Sequence, residues 1–560
     1  MDNQGRWLRQ EVTRALRPAF VAAGLFSLAI NLLLLVSPLY MLQVYDRVLT
    51  SGSVDTLVLL SVLALALLGV FAAADSGRRR VLALIGRALG DRLEHRLFAT
   101  GMGAAGRRLE SAVADLGRVQ GLFANGTIQP LFDAPFVPMF ALFVFLVHPL
   151  LGAVTLAGAV GLVLLAVAAE RAGTVAVERS SHAERAATRF LSGIGRQFAA
   201  VRAMGMGPAV ERRWQGLRDA ASIETLETAR TTAFYGGVSK AVRQMLQVVT
   251  LGVAAWLVLR QEISAGAIIA SSILAGRCLA PIDQIIGAWR PLLQARKSWS
   301  NLAAFVPPDA EQAASTPLPR PQAELRLREL TVDHPGGTGA LFEPVDLRLT
   351  GGQTLLVLGR SGQGKTSLLQ VLSGAATPAG GSVSLGGRNL HAWDMADRGA
   401  HIGFLPQYVD LLPGTVAENI VRFADAGPDA AIAAARRAGC HEAILQLAGG
   451  YDTPIGGEAP LSAGQRQDIG LARAVHGEPV ALFLDEPTAH LDLRGVSALL
   501  DLLAWQQQQG RIAVIASHDR RLLTAASLVL ELRDGRAVLA ERDAYVRALA
   551  AAVPARVGVA

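Results

Sequence analysis

Long uncharged apolar segments in the first half of the chain constrain its fold most. Residues 18–45, between Arg17 and Asp46, form one run without any charged side chain. A helix needs only about 20 apolar residues to cross a bilayer, so this run predicts a membrane span. Residues 56–74 form a second such run. Part of the chain is therefore expected to lie in lipid.

Four further spans are predicted downstream. The double-length apolar run 134–169 is interrupted by His148 and Pro149, which predicts a helical hairpin. Two shorter runs, 244–259 and 263–276, complete a set of six spans. Arg277 and Asp283 follow the last run, and we assign them to its cytoplasmic continuation because charges are costly at the centre of a bilayer.

The composition supports a membrane protein. Of the 560 residues 51% are hydrophobic and 18% charged, which is too apolar for an ordinary soluble enzyme and excludes a disordered chain. The net charge is +7, but the arginines cluster beside the apolar runs, in segments 78–118 and 171–243. Positive segments remain in the cytoplasm. We therefore predict cytoplasmic termini, a lipid bilayer as partner and no nucleic acid.

The second half has a different organisation. Residues 1–305 are predicted as the membrane domain with two long cytoplasmic loops, and residues 306–323 as a Pro-rich linker. From residue 324 to 560, apolar strands such as TLLVLG and ALFLDE alternate with helical runs such as KTSLLQVLSG. This alternation predicts an α/β domain with buried parallel strands. The predicted fold class is a six-helix membrane bundle fused to an α/β P-loop domain.

A phosphate-binding loop follows one of the predicted strands. The sequence fits GxxxxGK(S/T) between a strand and a helix, the arrangement in which backbone N–H groups cradle phosphates. Lys365 then reaches the terminal phosphates, and the Thr366 hydroxyl is suited to Mg²⁺. We predict ATP and Mg²⁺ as cofactors. The predicted phosphate-site residues are Gly359, Arg360, Ser361, Gly362, Gln363, Gly364, Lys365, Thr366 and Ser367.

Two carboxylates end another buried strand. Asp485 and Glu486 follow the apolar residues 480–484, and the ends of parallel strands meet at one edge of a sheet, beside the phosphate loop. We predict that Asp485 belongs to the magnesium shell. Glu486 is predicted as the general base that polarises the attacking water.

A third motif resembles the LSGGQ signature of ABC transporters: Leu461 and the four residues after it read LSAGQ. The resemblance implies a head-to-tail dimer in which the signature helix of one subunit covers the γ-phosphate held by the other. It also implies that Gln407 senses magnesium and water, that His518 contacts the γ-phosphate and that Asp492 lies in the D-loop. His334 stands where many relatives stack a tyrosine on adenine, and Ala463 replaces a glycine. The implied signature residues are Ser462, Ala463, Gly464 and Gln465.

The sequence of the membrane half indicates which group of ABC transporters the chain resembles. SPLYMLQVYDRVLTSGSVDTLVLL, LFDAPFVPMFALFVFLVHPLLG and SILAGRCLAPIDQIIGAWR resemble the membrane domain of type I secretion ATPases, particularly the protease and lipase exporter group. Such proteins are inner-membrane homodimers in bacteria. They export unfolded polypeptides, such as proteases, lipases or RTX-like proteins, with a membrane fusion protein and an outer-membrane channel. The resemblance implies the same partners and localisation here.

Three alternatives remain open on the sequence. An ABC exporter of lipids or small amphiphiles would share the same motifs. A regulatory or scaffold protein would bind ATP without magnesium-dependent hydrolysis. A soluble ABC ATPase is opposed by the apolar runs, and extraction from membranes by salt alone would favour it.

Overall fold

A computed structural model describes residues 3–104, 106–306, 319–334, 339–456 and 461–552 of the chain. The chain forms two compact units, Met1–Gln312 and Ala313–Ala560. Most of the predicted linker, residues 307–318, lies outside the described residues. The domain limits given above therefore stay predictions.

The first unit is helical throughout its described part. A π-helical turn at Val44–Val48 and a 3₁₀ turn at Ala134–Phe136 interrupt the α-helices. The α-helices are α1 Asn3–Leu33, α2 Val36–Gln43, α3 Leu49–Ser51, α4 Val54–Ala104, α5 Gly106–Ala124, α6 Gln129–Asp133, α7 Val137–Val147, α8 Pro149–Arg196, α9 Phe198–Ala203, α10 Gly207–Leu259, α11 Ala265–Gly287 and α12 Trp289–Phe305.

Among the described residues, six helical segments are long and apolar enough to cross a membrane, which confirms the predicted number. Several are far longer than a bilayer requires. The segment Val54–Met102 has 49 residues, about 70 Å of helix against a hydrocarbon layer of about 30 Å. The segments predicted as cytoplasmic loops are thus largely helical continuations of the spans. Arginine, glutamate and alanine dominate there, and all three favour helix.

The predicted hairpin is present. Helix α7 ends at Val147, and His148 adopts an extended conformation before Pro149 begins α8. The His148 ring accepts a hydrogen bond from the Leu150 amide at 3.2 Å, so it caps the new helix. Proline needs no N–H partner in the first helical turn, which explains why the helix restarts at this position.

The sixth span differs from the predicted one. Helix α11 continues without a break to Gly287, although it contains Pro281. Arg277 therefore lies in the middle of a 23-residue helix rather than after a span that ends at residue 276. Asp283, near the end of α11, accepts a hydrogen bond from Ser239 of α10 at 2.7 Å and lies 3.5 Å from Arg243.

A buried charge network joins three helices of the first unit. Arg78 of α4 is 5% exposed and lies 2.7 Å from Asp133 of α6 and 2.9 Å from Asp75. Asn31 of α1 donates to the same Asp133 oxygen at 3.0 Å. The backbone carbonyl of Ser27 accepts a second hydrogen bond from Asn31. Unpaired charges inside a bilayer cost about 2.5–3.5 kcal/mol each, so pairing permits this burial.

The second unit is an α/β domain. Short 3₁₀ turns lie at Gly450–Asp452 and Arg520–Thr524. Its strands are β1 Glu324–Thr331, β2 Val345–Thr350, β3 Thr354–Gly359, β4 Gly380–Leu385, β5 Arg388–Asn389, β6 Ile402–Leu405, β7 Gly414–Thr415, β8 Pro454–Ile455, β9 Ala481–Asp485, β10 Ile512–Ala516, β11 Leu528–Arg533 and β12 Arg536–Glu541. Its helices are α13 Lys365–Leu372, α14 Met395–Gly399, α15 Val416–Ile420, α16 Pro428–Ala438, α17 His441–Leu445, α18 Ala463–Val475, α19 Leu493–Gln508 and α20 Arg542–Ala552.

Two sheets build the core of this unit. The larger sheet has the strand order β12-β11-β3-β10-β9-β6, and only the edge strand β12 runs antiparallel to its neighbour. A smaller antiparallel sheet has the order β2-β1-β4-β5. Strands β9 and β10 are buried along their whole length. Apolar runs such as ALFLD and IAVIA suit such strands because both faces of the sheet are covered.

Candidate functional site

The loop after β3 has the backbone of a phosphate cradle. Gly362 and Gly364 adopt left-handed conformations, with φ of +85° and +93°, which other residues rarely tolerate. A Cβ on Gly364 would also lie 3.0 Å from the Leu341 side chain. The Gln363 side chain accepts a hydrogen bond from the Arg360 amide at 3.1 Å and fixes the turn. Helix α13 then begins at Lys365 with its N-terminus at this loop.

Lys365 and Glu486 face each other across the end of the sheet. The Lys365 ammonium donates to the Gly359 carbonyl at 2.9 Å and lies 3.7 Å from a Glu486 carboxylate oxygen. The other Glu486 oxygen lies 2.9 Å from Nδ1 of His518 and accepts from the Ser517 hydroxyl at 3.2 Å. Glu486 itself has a positive φ of +46°. Such backbone strain is concentrated at functional sites.

Asp485 ends β9 beside these groups. Its side chain is buried, and neither carboxylate oxygen completes a hydrogen bond within the described part of the chain. Burial raises the pKa of Asp485, with the Glu486 charge acting in the same direction, while the Thr366 hydroxyl and Lys365 lower it. A buried carboxylate without a hydrogen-bond partner is suited to a metal ion, since bare oxygens are the ligands that Mg²⁺ prefers.

Most of the predicted site residues line one cleft of about 570 Å³. It is lined by the phosphate loop together with Gln407, Glu486 and His518, and His334, which stands at the position of the adenine-stacking tyrosine of many relatives, also lines it. Asp485 and the loop residue Gln363 do not line the cleft. The lining residues from the prediction are His334, Gly359, Arg360, Ser361, Gly362, Gly364, Lys365, Thr366, Ser367, Gln407, Glu486 and His518.

The signature residues lie elsewhere in the same unit. Ser462 caps α18, since its hydroxyl accepts from the Gln465 amide at 3.2 Å while the Gln465 side chain accepts from the Ser462 amide at 2.8 Å. Ala463 lines a separate pocket that it shares with Gln407 and His490. Within the described residues, the phosphate cleft therefore contains no signature residue.

The loop before α19 approaches this helix N-terminus closely. A Cβ on Gly464 would lie 3.3 Å from the His490 carbonyl, so the glycine permits close approach of the residue 490 loop. Asp492, predicted in the D-loop, accepts a hydrogen bond from the Gly495 amide at 2.7 Å and caps α19. The N-termini of α18 and α19 thus carry one capping side chain each, which leaves further N–H groups for an anion.

Sequence reasoning missed three residues at this site. Leu341, beside Gly364, and Ala489 line the cleft, and Ser517 contacts Glu486 directly. Ser517 immediately precedes the predicted His518, so a hydroxyl next to a strand-end histidine was an available signal. No sequence pattern indicated Leu341, because its position depends on the path of the chain between β1 and β2.

A six-span helical unit followed by a phosphate-loop unit with a separate signature helix defines an ABC transporter of the exporter type. Residues 342–489 match the family model described as ABC transporter, and residues 20–279 match the model described as ABC transporter transmembrane region. A solved structure of a bacterial Atm1-family ABC exporter with ATP bound has a TM-score of 0.78 at 19% identity, covering 95% of this chain and 96% of that one. Because the sequence identity is low, this structural similarity supports only the assignment of the fold.

Sequence relatives narrow the family. The chain is 36% identical to the type I secretion system ATP-binding protein PrsD of Rhizobium meliloti (strain 1021), covering 93% of this chain and 91% of PrsD. It is 25% identical to the leukotoxin export ATP-binding protein LtxB of Aggregatibacter actinomycetemcomitans, covering 93% of this chain and 75% of LtxB. The chain belongs to the family of type I secretion ATP-binding proteins. It is thus a multi-pass inner-membrane ATPase with a cytoplasmic nucleotide-binding domain that couples ATP hydrolysis to transport.

Proposed function

We propose that two copies of this chain form an exporter that moves an unfolded polypeptide across the bacterial envelope. Similarity to PrsD and to leukotoxin exporters supports a polypeptide cargo. The same similarity supports a membrane fusion protein and an outer-membrane channel as partners. Hydrolysis of ATP with Mg²⁺ supplies the energy.

The cleft supplies groups for each part of hydrolysis. Backbone N–H groups of the phosphate loop and the Lys365 ammonium stabilise charge on the transferred phosphoryl group. Glu486 orients and polarises the attacking water, because its carboxylate is held by Ser517 and His518 on one side. His518 has a side chain that is 76% exposed toward the open cleft, which suits a contact to the γ-phosphate.

Three residues fit a magnesium ion. The buried oxygens of Asp485 have no hydrogen-bond partner in the described chain, and the Thr366 hydroxyl lies beside them. Gln407 lines the cleft that contains Thr366. When bound, Mg²⁺ would neutralise phosphate charge. We assign Asp485, Thr366 and Gln407 to its shell.

The proposal of a homodimer rests on the position of the signature residues. The Ser462 cap and the N-terminus of α18 can bind an anion, yet they do not line the phosphate cleft of their own chain. A γ-phosphate bound by Lys365 therefore needs a second chain to bring Ser462, Ala463, Gly464 and Gln465 against it. Head-to-tail pairing of two chains gives two such sites.

Substitution of Glu486 by glutamine tests the assigned chemistry. Glutamine retains the size and can still accept from Ser517, but it cannot take a proton. We expect Glu486→Gln to lower the steady-state ATPase rate of the purified full chain by about 10²–10⁴-fold while ATP-dependent association of the two copies persists. Glu442→Gln, at an exposed position in the same unit, is the matched control. Wild-type hydrolysis by Glu486→Gln would contradict the assigned base.

A further inference from the structure

Helix α11 differs from the other spans in what it leaves exposed. Each of the other five spans exposes several large apolar side chains, such as Leu59 of α4, Leu146 of α7 and Val248 of α10, at 71%, 73% and 71%. Such surfaces suit contact with lipid. Among the described residues, α11 exposes no large apolar side chain, and 61% of its most apolar window is buried.

The open face of α11 is polar and spacious. Arg277, Gln284 and Gly287 are exposed and recur at helical spacing, so they lie on one side of the helix. Gly276 lies next to them, and a Cβ on Gly276 or Gly287 would meet nothing within 4 Å. This face does not resemble a lipid-facing surface in either its chemistry or its packing.

Arg277 lies well inside the span. It is twelve residues, about 18 Å of helix, from Ala265, the first residue of the candidate span Ala265–Gly287, whose full length is comparable with a hydrocarbon layer of about 30 Å. The contacts of Asp283 with Ser239 and Arg243 lie six residues further toward the cytoplasmic end. Arg243 and Asp283 form an ion pair at that level, with 3.5 Å between their charged atoms. Arg277 therefore lies six residues further from the cytoplasmic end of α11 than this ion pair.

Among the residues that the structure describes, Arg277 has no charged partner. The structure shows no hydrogen bond or ion pair for this side chain within the described residues, although Arg78 and Arg243 in other spans are both paired with carboxylates. An arginine in lipid without a partner is strongly unfavourable, so such residues face water-filled passages or a binding partner.

We propose that Arg277 lines the export path and pairs with carboxylate side chains of the polypeptide in transit. The inference rests on the proposed polypeptide export and adds a specificity determinant to it. The guanidinium provides a fork of donors that matches a carboxylate, and the glycines beside it leave room for an extended chain. A passing acidic segment supplies the negative charge that the open face of α11 lacks.

Matched peptides test this assignment. Two labelled peptides of glycine and serine carry either aspartate or asparagine at the same positions, and their binding to the full chain in lipid nanodiscs is measured by fluorescence anisotropy. We expect the wild type to bind the aspartate peptide about tenfold more tightly, with a smaller preference at high salt. Arg277→Gln should abolish the preference, Arg277→Lys should retain most of it and Arg277→Glu should reverse it.

Arg260→Gln is the control, since Arg260 is exposed beyond the end of α10 and should not affect the preference. Retention of the preference by Arg277→Gln would overturn the inference. Its loss in Arg277→Lys would also do so, because the charge would then not be the determinant. Equal binding of both peptides by the wild type would contradict this inference alone. Binding of neither peptide would contradict the proposed polypeptide export as well.

Discussion

The two units of the chain assemble their charged residues in different ways. In the ATPase unit, Lys365, Glu486 and His518 all follow buried parallel strands that are neighbours in one sheet, so a general rule about strand ends brings them together. In the membrane unit, Asn31 and Asp133 are 102 positions apart and Asp46 and Gly266 are 220 apart. Only the packed helices bring these pairs together. Local sequence therefore shows the chemistry of the ATPase unit but hides that of the membrane unit.

The largest stability effect is expected where the membrane unit buries a shared charge. Arg78→Ala leaves Asp75 and Asp133 without their common partner, and loss of one member of a buried ion pair costs about 3–5 kcal/mol. Arg79→Ala is the matched control, because Arg79 also pairs with Asp75 but its side chain is 66% exposed. Its expected cost is about 1 kcal/mol or less. Thermal unfolding in detergent measures both, and equal shifts would contradict the role of the network.

A smaller effect is expected at the opposite end of the same unit. Asp46, in the π-helical turn, accepts hydrogen bonds from the Ser264 hydroxyl and from the Gly266 amide at the start of α11. Asp46→Ala should cost about 0.5–2 kcal/mol, since it removes both a capping acceptor and a favourable charge from a helix N-terminus. Asp55→Ala is the comparison, because Asp55 is exposed in the first turn of α4. A larger shift for Asp55→Ala than for Asp46→Ala would be inconsistent with this contact.

The smallest effect depends on pH and lies in the ATPase unit. Burial raises the pKa of Asp468, after the signature, to about 6, and the charge of Asp492 adds to this. The folded chain then holds this proton more firmly than the unfolded chain, so the contribution to stability is full at low pH and is lost as pH rises through about 6. Asp468→Asn mimics the neutral form. It should raise the unfolding midpoint most at about pH 8, less at about pH 5, and little below the ordinary aspartate pKa of about 4.

Exposed Asp501 provides the control for that measurement. Asp501→Asn should show no pH-dependent difference from the wild type. If Asp468→Asn unfolds at a lower temperature than the wild type at about pH 8, the charged Asp468 carboxylate does not destabilise the folded chain.

Sequence patterns predicted what local rules determine. The phosphate loop, the strand-end carboxylates and the capped signature helix each need a few adjacent residues, and each forms at the predicted position. Ser517 was missed although it belongs to the same strand end as His518. The partners of Arg78 and Asp46 could not be predicted, because a charge beside an apolar run does not indicate which helix it will face. The continuation of the sixth span past Arg277 was predicted, but its end was placed at residue 276 rather than at Gly287, since hydropathy counts the arginine against the span.

A tandem fusion of two copies tests most directly whether a complete ATP site contains residues from two chains. One fusion carries Lys365→Ala in one copy and Ser462→Arg in the other, whereas a second fusion carries both substitutions in the same copy. If the signature of one chain completes the phosphate loop of the other, the first fusion retains one intact site and about half of the wild-type ATPase rate, and the second retains none. Activity in the second fusion and none in the first would contradict the account.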